Sequence, residues 1–365
     1  MAAVSRSGTE DTDVFDVAPA HPASTRRATR RVVQLTLAVS CGAVLGAVPA
    51  AARRAQSPAP PAPAPSGAPD DVATQVEMHN VHFVVAQGIV LRIRNLHGEM
   101  RSKRGGPVVF DDKESFEIHL RSAEVGLTAA DLGALMNDYV FAYKGSPLKR
   151  LVVTVHGKQI RQRGVMHKVV DIPFDITADV SAMPDGRIRI HPTDTRIFHV
   201  EGDGLMRALG VRLDKLLDLR GSKGASVKGN DIFLEPDSLL PAPTIRGHVT
   251  AVRIDGDELV QQFGPPERAR SEGGLHPPDK SAENYMFYRG GTLRFGKLLM
   301  LDAEMQIVDA DPKDPFRFDI DHYSKQLVAG YSRTLPSMGL EVFMPDIDDA
   351  ERPIAVPKLA VPPRH

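Results

Sequence analysis

The chain is short of the residues that staple small exported proteins or build metal sites. A single cysteine, Cys41, stands among 365 residues, which excludes an internal disulfide framework and a Cys-x-x-Cys metal site. Tryptophan is absent, and 14 Phe with 6 Tyr bring aromatics to only 5%. Charge of one sign is lacking too. Against 45 basic side chains stand 46 acidic ones, a net −1, so the bulk electrostatics of a nucleic-acid partner are missing. There is no GxSxG elbow, HExxH, Walker loop or EF-hand pattern. On these absences the chain reads as non-enzymatic, with no cofactor and no metal. What it does have is 29 Pro and 30 Gly in a composition 42% hydrophobic and 25% charged. That is a globular balance, broken into many short elements and turns.

The one long apolar run lies near the N-terminus. Arg26-Arg27 and Arg30-Arg31 precede Val32 to about Ala52, which closes on Pro49-Ala50-Ala51-Ala52. A positive n-region, an apolar h-region and an Ala-rich end are the parts of a secretory signal peptide, with a retained membrane anchor as the alternative. Residues 1–56 therefore read as a polar N-terminus plus signal, and the protein as exported to a bacterial periplasm or cell envelope. Residues 57–75 are a Pro/Ala-rich spacer, a composition that stays extended and solvated. Beyond residue 56 the balance is 38 basic to 42 acidic, a net −4.

The body begins at 76 with alternation. Ile89, Leu91 and Ile93 alternate with Arg92 and Arg94, and Phe116, Ile118 and Leu120 with charged partners, the mark of antiparallel strands with one wet face. Thr128-Ala129-Ala130-Asp131 resembles a capping box with Asp in place of Glu. Leu132, Leu135 and Met136 then recur at helical spacing over 129–141. Phe174, Ile176, Ala178 and Val180 make a strand that turns through Met183-Pro184-Asp185-Gly186 into Arg187–Ile190, a hairpin. Leu205, Leu209, Leu213 and Leu216 share one stripe and predict a second helix over 203–219. A Pro/Gly-rich loop over 261–281 is the one internal boundary. Residues 282–349 read as a C-terminal β extension of the sheet, and 350–365 as a tail.

Chemistry-bearing clusters have bland explanations. His79 and His82, three apart on a strand, point to opposite faces, which disfavours shared metal ligation. Gly202-Asp203-Gly204 lacks the third glycine of a dinucleotide fingerprint, and Asp203 reads as an N-cap. Asp309, Asp311 and Asp314 read as a solvated turn rather than a calcium loop. Asp171 and Asp175 are four apart on a strand and too distant for a glycosidase pair. Arg101, Lys103 and Arg104 form a compact basic loop, the headgroup candidates of a membrane-surface contact.

The order of segments over about 115–255 resembles LmeA-type phospholipid-binding proteins, which belong with the tubular lipid-binding (TULIP-like) domains. The segments that carry it are the Thr128–Leu132 helix start, the Phe174–Val180 and Arg187–Ile190 hairpin and the Leu-rich stripe. The Gly290–Gly296 strand start is similar to AsmA-like envelope proteins. The resemblance implies an α+β fold in which a long curved antiparallel sheet wraps two amphipathic helices, over 76–260. It also implies a phospholipid or other acyl-chain ligand held without catalysis. The physical reading runs parallel: helices of about 13 and 17 residues cannot roof a long sheet, and an uncovered trough attracts lipid. Candidate wall residues are Leu132, Leu135, Met136, Phe174, Ile176, Ile188, Ile190, Leu209, Leu213 and Leu216. The alternatives are an envelope scaffold without ligand and, last, a hydrolase of unfamiliar geometry.

Overall fold

Alternation becomes strand from Thr74 onward. The computed structural model describes residues 72–167, 170–198, 205–207, 212–265 and 275–356. The signal segment, Cys41, most of the Pro/Ala spacer, Gly202-Asp203-Gly204, Leu209 and the end of the tail lie outside the described residues. β1 (Thr74–Ala86) and β2 (Ile89–Ser102) form a hairpin, β3 (Val108–Val109) is a two-residue strand, and β4 (Phe116–Thr128) lies antiparallel to β2.

These three long strands share a fault line. In β1 Val76 and Met78 are buried, then Val81, Phe83 and Val85. In β2 the buried set passes from Leu91 and Ile93 to Leu96, and in β4 from Ile118 to Ala123 and Val125. Each strand slips by one residue near Asn80 (φ 53), Arg94–Asn95 and Arg121–Ser122. A slip in one strand re-aims every later side chain, and bulged strands bend and twist more strongly. Because the slips align, the buried side stays buried across the break. The slip also places His79 and His82 on the same, outer side of β1, correcting the expectation from simple alternation. His79 stacks on Tyr285 and contacts the carbonyl of Glu283 at 2.6 Å.

α1 (Ala129–Leu135) starts on the expected capping box, with Asp131 N–H donating to Thr128 Oγ1 and Thr128 N–H donating to Asp131. It continues as a π-helical turn over Met136–Val140. Asn137 then stitches this helix to the next strand: its amide donates to the carbonyls of Gly133 and Leu151 and accepts from Leu151 N–H, at 2.7–2.8 Å.

A second antiparallel sheet follows. β5 (Leu148–His156), β6 (Gln159–His167), β7 (Asp171–Ala182) and β8 (Ile188–Phe198) form a meander. The β7–β8 hairpin closes where expected, with Gly186 at φ 84 and Met183 N–H bonded to the Arg187 carbonyl. β9 (Leu205–Arg207) adds to β8, α2 (Leu213–Leu216) is one turn, and β10 (Ala225–Lys228) pairs β11 (Asp231–Leu234), which pairs β8. α3 (Pro236–Leu239), β12 (Thr244–Arg246), β13 (Val249–Asp255) and β14 (Glu258–Phe263) lead the chain back to β4.

The expected second helix over 203–219 is thus corrected. Among the described residues only Leu213–Leu216 is helical, and Leu205–Arg207 is strand. A leucine stripe fixes which side chains want burial, but β8 offers an unsatisfied ladder edge to residues 205–207. Gly210 and Val211, inside the stripe, are poor helix formers. The roof over the first sheet is therefore α1 with a second sheet, not two helices.

The C-terminal third extends the first sheet, as expected. β15 (Tyr285–Arg289) pairs β1; β16 (Leu293–Phe295) and β17 (Leu298–Met300) form a hairpin beside β3; β18 (Glu304–Asp309) pairs β15. β19 (Phe316–Asp319) joins β1, α4 (Tyr323–Ala329) follows, and β20 (Tyr331–Thr334) pairs β21 (Leu340–Met344). Among the described residues the order is β13-β14-β4-β2-β1-β15-β18-β21-β20 in the large sheet, β10-β11-β8-β7-β6-β5 in the second and β17-β16-β3 in the small one. The fold is mostly β, with large antiparallel-dominated sheets and few short helices. Phe110 pins the small sheet to the large one, packing edge-on to Tyr288, Phe318 and Tyr323 at 5.5–6.3 Å between centroids.

Candidate functional site

The site is the apolar face of the second sheet, covered at one end by the large sheet with α1 and at the other by α2. One face of β7 carries Phe174, Ile176, Ala178 and Val180 opposite Ile197, Thr195, Pro192 and Ile190 of β8. Plain alternation along β8 would put Ile190 and Ile197 on opposite faces. Thr193 is the extra residue that prevents this, because Thr177 pairs Asp194 while Ala178 pairs Pro192. The result is one continuous apolar face, extended by Ile232 and Leu234 of β11, which pair Ile190 and Ile188.

Two cavities lie along it. The first, about 50 Å³, is bounded by Leu91 and Leu96 of β2, Leu132, Leu135 and Met136 at α1, Ile188, Leu234 and Leu239 of α3. Gln261 is the one polar side chain lining it. The second, about 20 Å³, is walled by Phe174, Ile176, Leu213, Leu216 and Ile232. Of the wall residues expected from sequence, Leu132, Leu135, Met136 and Ile188 come together in the first cavity, and Phe174, Ile176, Leu213 and Leu216 in the second. Ile190 lines neither. It lies opposite Ile232 and two residues from Ile188. Leu209 lies outside the described residues.

Sequence reasoning missed the roof contributed by Leu234, Pro236 and Leu239 and the floor from Leu259 and Phe263. The signal was present as alternation in Asp231–Leu234 and Glu258–Phe263, but pairing with distant strands decides which sheet such segments join. Polar side chains pair at the start of α1 and on the other face of β2. Asp131, buried, accepts from Val90 N–H at 3.1 Å and pairs with Arg92. Arg92 and Arg94 both meet Glu258, at 3.5 and 3.1 Å.

The basic loop is exposed. Arg101 pairs Glu99, Arg104 lies 3.3 Å from Asp112, and Lys103 donates to Thr244 Oγ1 at 2.8 Å. The other charged candidates are engaged separately. Asp175 is buried against Arg161, whose hydrogen bond holds its carboxyl below the usual range, and Asp171 is held down by His167. Asp309 departs from the solvated turn expected of it. It is buried, accepting from Asn284 Nδ2 at 3.0 Å and Asp311 N–H at 2.9 Å, while Asp311 and Asp314 are exposed. Among the described residues no group of three His, Cys, Asp or Glu side chains is placed to hold a metal ion.

No protein-family model, curated protein or solved structure matches the chain.

Proposed function

We propose that this is an exported, non-catalytic protein that binds a phospholipid or other acyl-chain lipid in the apolar seam along its second sheet. In this reading the large sheet with its aligned slips curves over α1 and the second sheet, in the manner of a TULIP-like domain. The observation that carries it is the composition of the first cavity: apolar side chains from five separate stretches of the chain, with Gln261 alone able to hydrogen-bond. A lining so uniformly apolar offers shape and dispersion contacts to a hydrocarbon chain and little to a polar substrate.

At about 50 Å³ the cavity holds no more than a few waters, well short of the roughly 300 Å³ where ligand pockets begin. Lipid entry therefore requires the roof to part. The one-turn α3, fixed by few backbone bonds, and the unbranched Met136 are the parts suited to yield. The same closure favours the second reading, an envelope scaffold without a ligand.

Native mass spectrometry of the purified chain and titration with a fluorescent fatty acid separate the two. The lipid reading expects co-purified phospholipid and saturable probe binding that Met136→Trp, which fills the cavity, weakens at least about tenfold while the fold survives an overpacking cost of about 1–3 kcal/mol. Empty protein that ignores the probe leaves only the scaffold.

A further inference from the structure

Far from the seam, the small sheet ends in an uncovered apolar edge. β17 is the outer strand of β17-β16-β3; Lys297 precedes it and Asp302 lies two residues beyond, but the strand itself and Leu301 carry none of the charged or proline residues that blunt edge strands. Leu298, Leu299 and Leu301 are 41%, 51% and 69% exposed. They border an open cleft of about 680 Å³ whose other side is the turn after β20. There Met338 is 82% exposed and held at φ 68, a left-handed conformation that normally selects Gly or Asn. Val72, also exposed, adds to the same end, since its carbonyl lies against Gly291.

Cations ring this patch. Arg289, Arg294 and Lys297 are exposed and meet no carboxylate among the described residues. The segment that follows the Arg101–Arg104 loop comes near them by register. Met300 pairs Leu293, which pairs Val108, so Leu301 and the chain just before Val108 stand two strand spacings apart, about 10 Å. Asp302 and Glu304 also border the cleft, and Glu99 and Asp112 offset Arg101 and Arg104. The surplus is still positive, on a body whose sequence is net −4.

We infer that this end docks on an anionic membrane surface, with the β16–β17 hairpin and the Met338 turn entering the headgroup–acyl boundary. Consecutive residues on a strand point to opposite faces, so exposure of both Leu298 and Leu299 leaves both faces of β17 apolar and bare. A protein partner adding a strand or covering a flat face would shield one of them. An acyl environment surrounds both, and the flanking Arg and Lys then reach phosphate. The inference shares no residue with the seam and does not depend on a lipid being held there.

The chain has no tryptophan, so Leu299→Trp reports from one place. In the full chain, vesicles of phosphatidylcholine with phosphatidylglycerol should shift its emission to the blue, and brominated acyl chains should quench it. Val328→Trp, an exposed position on α4, should show neither effect. Adding Arg294→Glu and Lys297→Glu to Leu299→Trp should weaken the apparent affinity at least about tenfold, on the usual worth of a basic residue at an anionic surface. Emission that stays that of a water-exposed indole, or quenching equal at both positions, overturns the inference. A blue shift that rises with protein concentration without vesicles overturns it in favour of a second copy of the chain. Fatty-acid titration of the same variants should be unchanged, which separates this result from failure of the seam.

Discussion

Asp309→Asn tests how the C-terminal part of the large sheet is held. Asp309 ends β18 with 4% of its surface exposed. Burial is the main cause that pushes its carboxyl up to about 7; the Asn284 and Asp311 donors oppose the rise, and the charges of Asp346 and Asp314 add to it. A folded-state value above the unfolded one means that the folded form binds the proton more tightly. Its stabilisation is complete below the unfolded value near 4 and is lost as pH rises through about 7. A shift of about 3 units at 1.36 kcal/mol each caps the effect at about 4 kcal/mol. Asparagine cannot ionise, but its amide keeps only one of the two accepting oxygens, at a cost of about 1 kcal/mol. The variant should therefore be less stable than the parent by about 1 kcal/mol near pH 4 and more stable by about 2–3 kcal/mol near pH 8. Thermal unfolding followed by circular dichroism at those two values reads the crossing directly, at roughly 2 °C per kcal/mol for a body of this size. The difference between the two proteins cancels carboxylates that do not interact with Asp309, among them Asp218, which Arg220 holds down at about 2. A Tm difference independent of pH would refute the reasoning.

Two further substitutions probe the frame of the seam. Asp131→Ala removes the acceptor of Thr128 N–H and Val90 N–H and leaves Arg92 with Glu258 alone; urea unfolding should show a loss of about 2–3 kcal/mol, with Asp131→Asn costing clearly less. Gly264→Ala would place a methyl on the carbonyl oxygen of Arg121, at φ 63, beside the slip in β4. Its cost should exceed about 2 kcal/mol, seen as a lowered urea midpoint, because neither backbone segment can retreat without breaking a ladder.

What the sequence made legible was local. The β7–β8 hairpin could be read because Pro184-Asp185-Gly186 admits few other conformations, and α1 because Thr128 and Asp131 satisfy each other across one turn. Of the ten residues expected to wall a groove, eight border the two small cavities. What could not be read was pairing at a distance. β1 joins β15 across about two hundred residues, and nothing in Thr74–Ala86 names Tyr285–Arg289 as its neighbour. The Leu205–Leu216 stripe was misjudged for the same reason, since a free ladder edge on β8 competes with helix and periodicity cannot see it. α4 escaped because its buried Gln326, which donates to the Arg317 and Pro345 carbonyls, interrupts the apolar pattern that marks a helix. The reading of Asp309 failed because Asp-Pro turns are solvated on average, whereas here Asn284, brought by β15, supplies a donor inside.

The bulges connect these two levels. A strand without Thr193 would send Thr195 and Ile197 to the solvent side of the second sheet and take both from the lining of the second cavity. Strands without the aligned slips at Asn80, Asn95 and Ser122 would turn Val81, Leu96 and Ala123 outward while their neighbours stayed buried. In each case one extra residue, invisible to a period-of-two pattern, keeps an apolar face continuous across a bend. That continuity puts both cavities on one sheet, where Ile190 pairs Ile232 of the second cavity and lies two residues from Ile188 of the first. On the lipid reading proposed above, a chain of methylenes, which needs length rather than volume at any one point, is the ligand shape that would displace such narrow walls least.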